Sequence, residues 1–453
     1  MRHVHFIGIG GIGVSGIAQL ALRRGDIVSG SDLKESLITN KLVKLGAKVY
    51  IGHKPQNIDG CSLVIYSSAI SESNPEIKEA RRRGIAVRRR AEFLSELMAL
   101  KKVVTITGAH GKTTTSSLAA KLLLESGFSP SVAVGGILRE DGDNAKFSEG
   151  DYFVAEADES DGTFLCYSPT YSIITNIDYE HMDFYKTYDN LVDSFNKFAR
   201  QTKNGGCIFY YFEDEPLKKA VYDSAVRSVS FGYSADADLY AKDISLSQCH
   251  LSFSCFDADG RLGEISVSLS GRHNVLNVLA VIALGRELGL DFNTIKKSLE
   301  GFRGVERRFQ VKLDNESILI VDDYAHHPTE ICATIEAARV CNRKRIIVVF
   351  QPHRYSRTKS LMDKFERCFS KSDHLIITDI YAAGERAIEG ISARDLTERV
   401  KSCIHKNVEY VPKDGILKYL DSIVVKGDMV LFLGAGDITK VSDEFSGNFK
   451  ERS

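Results

Sequence analysis

No apolar run in this 453-residue chain approaches the roughly 20 residues of a membrane span. The first residues, Met-Arg-His-Val-His-Phe, lead into a strand pattern without a signal-peptide apolar core. A cytoplasmic protein is expected. The nine cysteines lie singly from Cys61 to Cys403, with no C-x-x-C pair and no zinc-finger spacing. That pattern argues for reduced thiols, with no disulfide and no structural zinc. Charge of one sign is also missing: 59 Lys and Arg stand against 60 Asp and Glu. No overall field therefore favours nucleic acid or an anionic membrane, and neither is expected as a partner. Low-complexity tracts and short-period repeats are absent, and a length of about 150 residues per domain suggests three domains.

What the chain does contain centres on residues 103–115, Val-Val-Thr-Ile-Thr-Gly-Ala-His-Gly-Lys-Thr-Thr-Thr. A run of β-formers stops at Gly108; Gly111, Lys112 and hydroxyl residues follow, then a helical pattern carrying Leu118, Ala119, Leu122 and Leu123. Strand, glycine loop and helix in this order turn backbone N–H groups toward an anion. Gly108, Ala109, His110, Gly111, Lys112, Thr113 and Thr114 form the candidate cradle for ATP or GTP. Lys112 would meet the outer phosphates and Thr113 would ligate magnesium. The spacing departs from the usual phosphate loop, because Ile106 stands where its first glycine belongs.

Residues 1–98 read as a Rossmann-like unit. A strand over Val4–Ile7 ends in Gly8-Ile9-Gly10-Gly11-Ile12-Gly13, and a second strand delivers Asp32 about 20 residues on, where such folds hold a ribose hydroxyl. Gly10, Gly11, Gly13 and Asp32 are candidate ligand contacts. So are Ser67 and Ser68, in the small-residue loop after the strand Leu63–Tyr66. The glycines require only a diphosphate, so NAD and a nucleotide-linked substrate both fit. The runs Arg81–Arg83 and Arg88–Arg90 are expected on solvated faces.

In residues 99–306 the strand before Glu156 places that carboxylate where a Walker B acid holds magnesium. Glu159 and Asp161 fit a turn or a site equally. His181, just beyond the strand Ser172–Thr175 and among carboxylates, is a candidate for a second cation. Residues 228–270 alternate like strands, with Asp259-Gly260 as a hairpin turn, and are expected as a β appendage. Asn274 and Asn277 lie three apart on one helical face. They suit either a base edge or capping and packing.

Residues 307–453 alternate apolar strands with helices, as a parallel α/β unit does. The strand ends carry Asp-Asp-Tyr-Ala-His-His-Pro from Asp322, Gln-Pro-His-Arg-Tyr-Ser-Arg from Gln351, and Gly-Ala-Gly-Asp from Gly434. Polar residues at successive strand ends mark the ligand edge of such a sheet. Arg354 and Arg357 suit a carboxylate or phosphate, and His326 and His327 could position a proton or an anion.

Taken together and in order, Gly-Ile-Gly-Gly-Ile-Gly, Gly-x-His-Gly-Lys-Thr, Glu-Ala-Asp-Glu-Ser-Asp-Gly, Thr-Asn-Ile with Glu-His-Met-Asp, Gly-Arg-His-Asn, Asp-Asp-Tyr-Ala-His-His-Pro and Gln-Pro-His-Arg-Tyr-Ser-Arg resemble the Mur ligase family of peptidoglycan synthesis. Ala109 stands where that family more often has Thr. The resemblance implies a three-domain α/β fold: Rossmann-like residues 1–98 binding a UDP-sugar, a central phosphate-loop ATPase domain over 99–306 with the β appendage, and a Rossmann-like closing domain over 307–453. It implies ATP and two magnesium ions, UDP-N-acetylmuramate and L-alanine as substrates, and amide formation through an acyl phosphate. On it, Lys112 meets the outer phosphates, Thr113 and Glu156 the first magnesium and His181 the second. His273, Asn274, Asn277 and Arg308 lie at the nucleotide. Asp323, Tyr324, His326, His353, Arg354 and Arg357 complete the site on closure, with Lys112, Glu156, His326 and Arg354 as the catalytic set. No carbamylated lysine is identified.

Three other readings remain. A related ligase that attaches a preformed peptide shares the ATP machinery, but its glycine loop usually carries Cys and bulky residues where this chain has Gly11-Ile12-Gly13. An NAD-dependent oxidoreductase predicts nicotinamide at Gly8–Gly13 and no ATP turnover. A nucleotide-sensing scaffold predicts ATP binding indifferent to sugar nucleotide and amino acid.

Overall fold

The computed structural model describes residues 2–67, 70–136, 145–247, 250–404 and 407–451. Three sheets organise them. The first has five parallel strands in the order Lys48–Ile51, Ile27–Asp32, His3–Ile7, Leu63–Tyr66, Ala86–Arg89. The order reverses at His3–Ile7, the switch point where such sheets bind nucleotides beyond the strand ends. Alternate residues enter different cores: Val4, Phe6, Leu63 and Ile65 pack on one face, Ile7, Val64 and Tyr66 on the other. A sheet covered on both faces reads as continuous apolar runs, which is why its central strands are legible in sequence.

The second sheet runs Ala145–Lys146, Ser131–Ala133, Tyr152–Glu156, Lys102–Thr107, Tyr171–Ile174, Cys207–Tyr211, Ser228–Gly232, Leu239–Ser247, His250–Asp257, Gly260–Val267. The expected β appendage thus continues the nucleotide sheet at one edge. Its hairpin turns at Ala258-Asp259, and Gly260, at φ +121°, already begins the returning strand. The third sheet runs Gln310–Asp314, Ile318–Asp323, Asp428–Leu433, Ile346–Phe350, His374–Ile377, Asn407–Tyr410; all pairs are parallel except the first. Here too Leu319, Val321, Val348 and Leu431 face one core while Ile318, Ile320, Val349 and Val430 face the other.

By compactness the chain forms two units. The first comprises Met1–Lys242, Ser254–Ile265 and Leu276–Phe302, the second Asp243–Phe253, Ser266–Val275 and Arg303–Ser453. Within the first, one hydrophobic cluster is continuous from Phe6, Phe93 and Leu94 to Phe153, Phe164 and Phe195. The helix Arg90–Met98 belongs to both halves of that cluster, and the Ser95 hydroxyl donates to the Cys166 carbonyl at 2.8 Å. No helix among the described residues is long and apolar enough to cross a membrane.

Candidate functional site

The strand Lys102–Thr107 ends at Gly108, and Gly111 caps the helix Lys112–Glu125. Both glycines have positive φ, +123° and +83°. At Gly108 a side chain would collide with the Thr175 hydroxyl and the Asn176 backbone, and at Gly111 with the Asn277 amide. Glycine is required at both for conformation and for close approach. The turn is braced from the neighbouring strand end: His110 N–H donates to Asn176 Oδ1 at 2.9 Å, Asn176 Nδ2 returns a bond to His110 O at 3.1 Å, and the His110 ring meets Asp178 at 2.8 Å. Ala109, Thr113 and Thr114 are buried. Asn176 escaped sequence reasoning, although its place just past a strand end was visible.

Lys112 Nζ donates to Gly108 O at 2.6 Å, Ala109 O at 3.1 Å and Glu159 Oε1 at 2.9 Å. Burial pulls its pKa down, but Glu159, Asp158, Glu180 and Glu156 outweigh burial and hold it above the ordinary lysine value. The ammonium is charged near pH 7. Asp158 is held below the usual range: burial raises it, while Lys112, the Ser160 N–H and Arg90 more than offset that. Glu159 is 1% exposed, and its Oε2 is buried with no hydrogen-bond partner. Its carboxylate, that of Glu180 and the His181 ring place ligand atoms within 4.8 Å of one another. His181 sits at φ +59°, and its pKa is raised because Glu159 and Glu180 outweigh burial.

The structure therefore brings His181 to Glu159 and Glu180. It holds Glu156 elsewhere, accepting from Gly135 N–H at 3.0 Å and the Ser116 hydroxyl at 3.5 Å. Asn277 Oδ1 accepts from the Thr115 hydroxyl at 3.1 Å, which ties two helices together. Asn274 Nδ2 donates to Ser270 O at 2.6 Å and lies 3.2 Å from His273 Nε2.

In the N-terminal glycine turn, Gly11 caps the helix Ile12–Arg23, and Gly10 N–H donates to Asp32 Oδ2 at 2.8 Å. Asp32 also accepts from Leu33 N–H, so its carboxylate shapes the turn itself. Ser67 is half-buried at the end of the adjacent strand, and Ser68 lies outside the described residues. A side chain at Gly13 would collide with the Arg90 guanidinium. Arg90 is half-buried, unlike the solvated residue expected; Arg81, Arg82 and Arg83 do form exposed pairs with Glu72, Glu79 and Asp59.

In the second unit, Asp323 accepts from Phe309 N–H at 2.6 Å and Ala325 N–H at 2.7 Å. Burial pushes its pKa up to about 6 against the pull of Arg308 and these two N–H groups. The Arg308 guanidinium lies 5.1 Å from the centre of the Tyr324 ring. Tyr324, His326 and His353 form a chain of edge-to-face rings with centroids 5.4 and 5.7 Å apart, and Tyr381 stacks on His353. His326 Nδ1 lies 3.0 Å from Tyr324 O, which assigns the proton to Nδ1 and leaves Nε2 an acceptor. Burial, aided by Arg357 and opposed by Glu330, pulls His326 down to about 3; burial with Arg357 and Arg354 takes His353 to about 4. Both rings are neutral near pH 7. Arg357 donates to His353 at 3.1 Å, and exposed Arg354 adopts φ +69°. Gly434 and Gly436 pack against Gln351, so their turn is structural.

Residues 3–102 match the Mur ligase family, catalytic domain, residues 106–285 the Mur ligase middle domain and residues 307–436 the Mur ligase, glutamate ligase domain. The chain is similar to the UDP-N-acetylmuramate--L-alanine ligase of Desulfatibacillum aliphaticivorans, 46% identical over 444 residues covering 98% of this chain and 97% of that one. The crystal structure of the UDP-N-acetylmuramate-alanine ligase MurC from Thermotoga maritima superposes with a TM-score of 0.86 at 31% identity, covering 100% of both chains. A murein peptide ligase from Psychrobacter arcticus, at 22% identity, TM-score 0.70 and coverage of 100% of this chain and 98% of that one, shares the fold. With three family segments matched in order and a relative aligned along nearly its whole length, the chain belongs to the Mur ligase family.

Proposed function

We infer that this protein joins L-alanine to the lactyl carboxylate of UDP-N-acetylmuramate, with ATP converted to ADP and phosphate, in the cytoplasm. The observation that carries the reading is the half-buried, charged Lys112 at a glycine-capped helix start, beside a carboxylate cluster, in a chain aligned along 98% of its length with an alanine ligase. A carboxylate does not acylate an amine in water near neutral pH, because oxide is a poor leaving group. Phosphorylation supplies a better one. The lactyl carboxylate attacks the γ-phosphorus and ADP departs; the amine of alanine then attacks the acyl carbon and expels phosphate. Lys112 and the N–H groups of the helix start stabilise charge on the transferring phosphoryl group.

The residues present fit magnesium. Glu159 offers an unpartnered buried oxygen, and the oxygen ligands of Glu159 and Glu180 suit a hard cation better than the His181 nitrogen does. We assign one ion to Glu159, Glu180 and His181 and a second to Thr113 and Glu156. Magnesium there would neutralise phosphate charge. Arg354 and Arg357 are assigned to the carboxylate of alanine, and His326 to its amine. The N-terminal glycines Gly10, Gly11 and Gly13 are assigned to the UDP diphosphate, in place of NAD.

The test is phosphate release from MgATP with UDP-N-acetylmuramate, with and without single amino acids or a muropeptide, together with the mass of the sugar nucleotide. Release that requires both sugar nucleotide and L-alanine, with one alanyl residue gained, is expected. Release only with the peptide moves the assignment to the peptide-attaching ligases. No release in any mixture refutes the acyl-phosphate mechanism.

A further inference from the structure

The strand His374–Ile377 sends a further end to the ligand edge of the third sheet, beside those that carry His326, His353 and Gly434. The segment after it, Asp379-Ile380-Tyr381-Ala382-Ala383-Gly384-Glu385, is fastened twice to its neighbour. Tyr381 N–H donates to Pro352 O and Arg354 N–H to Tyr381 O, each at 2.8 Å, which makes a parallel bridge between His353 and Tyr381. After a turn through Ala383 and Gly384, at φ +50° and +86°, the Glu385 carboxylate accepts from the Ser356 N–H at 3.0 Å and the Ser356 hydroxyl at 2.6 Å. Neither tie uses the Tyr381 side chain. That ring stacks on His353, with centroids 5.6 Å and planes 12° apart, and fills space that a side chain at Gly436 would take. It is 38% exposed, and its hydroxyl makes no hydrogen bond among the described residues. A tyrosine held in this way, with its hydroxyl unused, offers its apolar ring to a ligand.

We propose that Tyr381 is the specificity-determining residue of the amino-acid site, a wall that meets the methyl group of alanine and stops longer side chains. The proposal rests on the ligase reading above, which assigns the amine to His326 and the carboxylate to Arg354 and Arg357. His353 lies between those groups: its ring is 5.7 Å from that of His326, and Arg357 donates to its Nδ1 at 3.1 Å. An α-carbon whose amine and carboxylate are so held is placed beside His353, and the next ring in the row is Tyr381. A bond of about 1.5 Å to a methyl carbon and a carbon–carbon contact of about 4 Å together match the 5.6 Å from His353 to Tyr381. The methyl group then touches the ring, glycine leaves the contact empty, and a second carbon meets the wall. One methylene in an apolar pocket changes kcat/KM by about 10- to 200-fold.

The test compares kcat/KM for L-alanine, glycine, L-2-aminobutyrate and L-valine, with MgATP and UDP-N-acetylmuramate, each product identified by mass. In the parent, alanine is expected to exceed glycine and 2-aminobutyrate by about tenfold or more. Tyr381→Ala keeps both backbone bonds of the bridge and opens the wall: 2-aminobutyrate gains on alanine by about tenfold, and alanine loses its lead over glycine. Tyr381→Trp brings the wall forward and shifts the ratio of 2-aminobutyrate to alanine the other way, which keeps the proposal testable should Tyr381→Ala fail to fold. Tyr381→Phe retains the parent's order of preference, because the hydroxyl has no partner. A role confined to supporting His353 lowers all four amino acids alike in Tyr381→Ala and leaves their ratios unchanged; that result overturns the proposal. So does a parent that accepts valine as readily as alanine. A parent that adds no amino acid to the sugar nucleotide overturns the ligase reading itself, whereas unchanged ratios in an active variant overturn only the role of Tyr381.

Discussion

Lys112 and Glu159 face each other at 2.9 Å with side chains 15% and 1% exposed, and the carboxylate helps to hold the lysine charged. Glu159→Gln keeps a hydrogen-bonding oxygen for Lys112 but removes the charge from the cation cluster. It is expected to raise the magnesium concentration for half-maximal activity by about tenfold or more, read from rates against free magnesium; an unchanged dependence removes Glu159 from the ligand set. Sequence left Glu159 undecided and passed over Glu180, because a carboxylate at a strand end reads the same whether it is solvated or buried. Lys112 and His181 were legible, since a lysine after two glycines and a histidine among acids carry their chemistry in their spacing. His326 is a different case. It could either orient or deprotonate the amine, and burial weakens the second role, since a group near pH 3 accepts a proton from an ammonium poorly. Its Nε2 suits the first, a hydrogen bond that orients the amine. In His326→Asn the KM for alanine is expected to rise by about tenfold, the loss of one buried hydrogen bond, while the acid limb of the pH profile of kcat/KM stays in place. A limb that vanishes restores the base; kcat and KM both within about twofold of the parent remove His326 from the site.

Among the elements, the glycine-capped helix Lys112–Glu125 was the most legible and the short edge strands the least. Thr113 through Leu123 are buried on every side, so its apolar face in sequence understated its burial. The strands Lys48–Ile51, Ala86–Arg89, Gln310–Asp314 and Asn407–Tyr410 were missed, because edge strands are short, half-solvated and rich in charge. Arg90 was misjudged for the same reason: it follows one of these strands within a run of arginines, and only the fold turns its guanidinium toward Gly13. The helix His273–Glu287 poses a choice that its sequence left open. Asn277 touches the phosphate-loop helix through Thr115 and closes over Gly111, which favours packing over reading a base. Asn277→Ala is expected to cost about 1–3 kcal/mol of stability, as loss of a buried hydrogen-bond partner does, and to leave the preference for ATP over GTP unchanged. A shift in that preference without a change in denaturation midpoint returns Asn277 to the base edge.

At the scale of the whole molecule, the three-sheet α/β plan was readable because its central strands are buried on both faces. What composition hides is a polar core beneath the first sheet. Glu76 is fully buried and accepts from the Ser31 hydroxyl at 2.6 Å, Asn57 Nδ2 at 2.5 Å and Lys54 N–H at 3.2 Å, with His5 and His53 at 3.6 and 3.4 Å. Burial raises its pKa, but His5, Ser31 and Asn57 together bring it below the ordinary 4.5. Ser31 in turn accepts at its carbonyl from the N–H groups of Gly8 and Ile9, so this carboxylate supports the glycine turn from below. A group with a depressed folded pKa stabilises above its unfolded value, and that contribution is lost as pH falls through the folded one. His326 and His353 act in a separate window: their folded values of about 3 and 4 lie below that of an unfolded histidine, about 6.5, so they lower stability as pH falls below that value. Glu76→Gln isolates the first effect. At pH 7 the variant is expected to be less stable by about 1.5–3 kcal/mol, the range for hydrogen bonds to a charged group, and the deficit shrinks as pH falls below 4.5, where the parent also begins to lose the charge. Urea unfolding at pH 7, 5 and 4 reads the difference directly. A deficit that stays constant with pH would mean that the shape of the side chain, and not its charge, holds the turn.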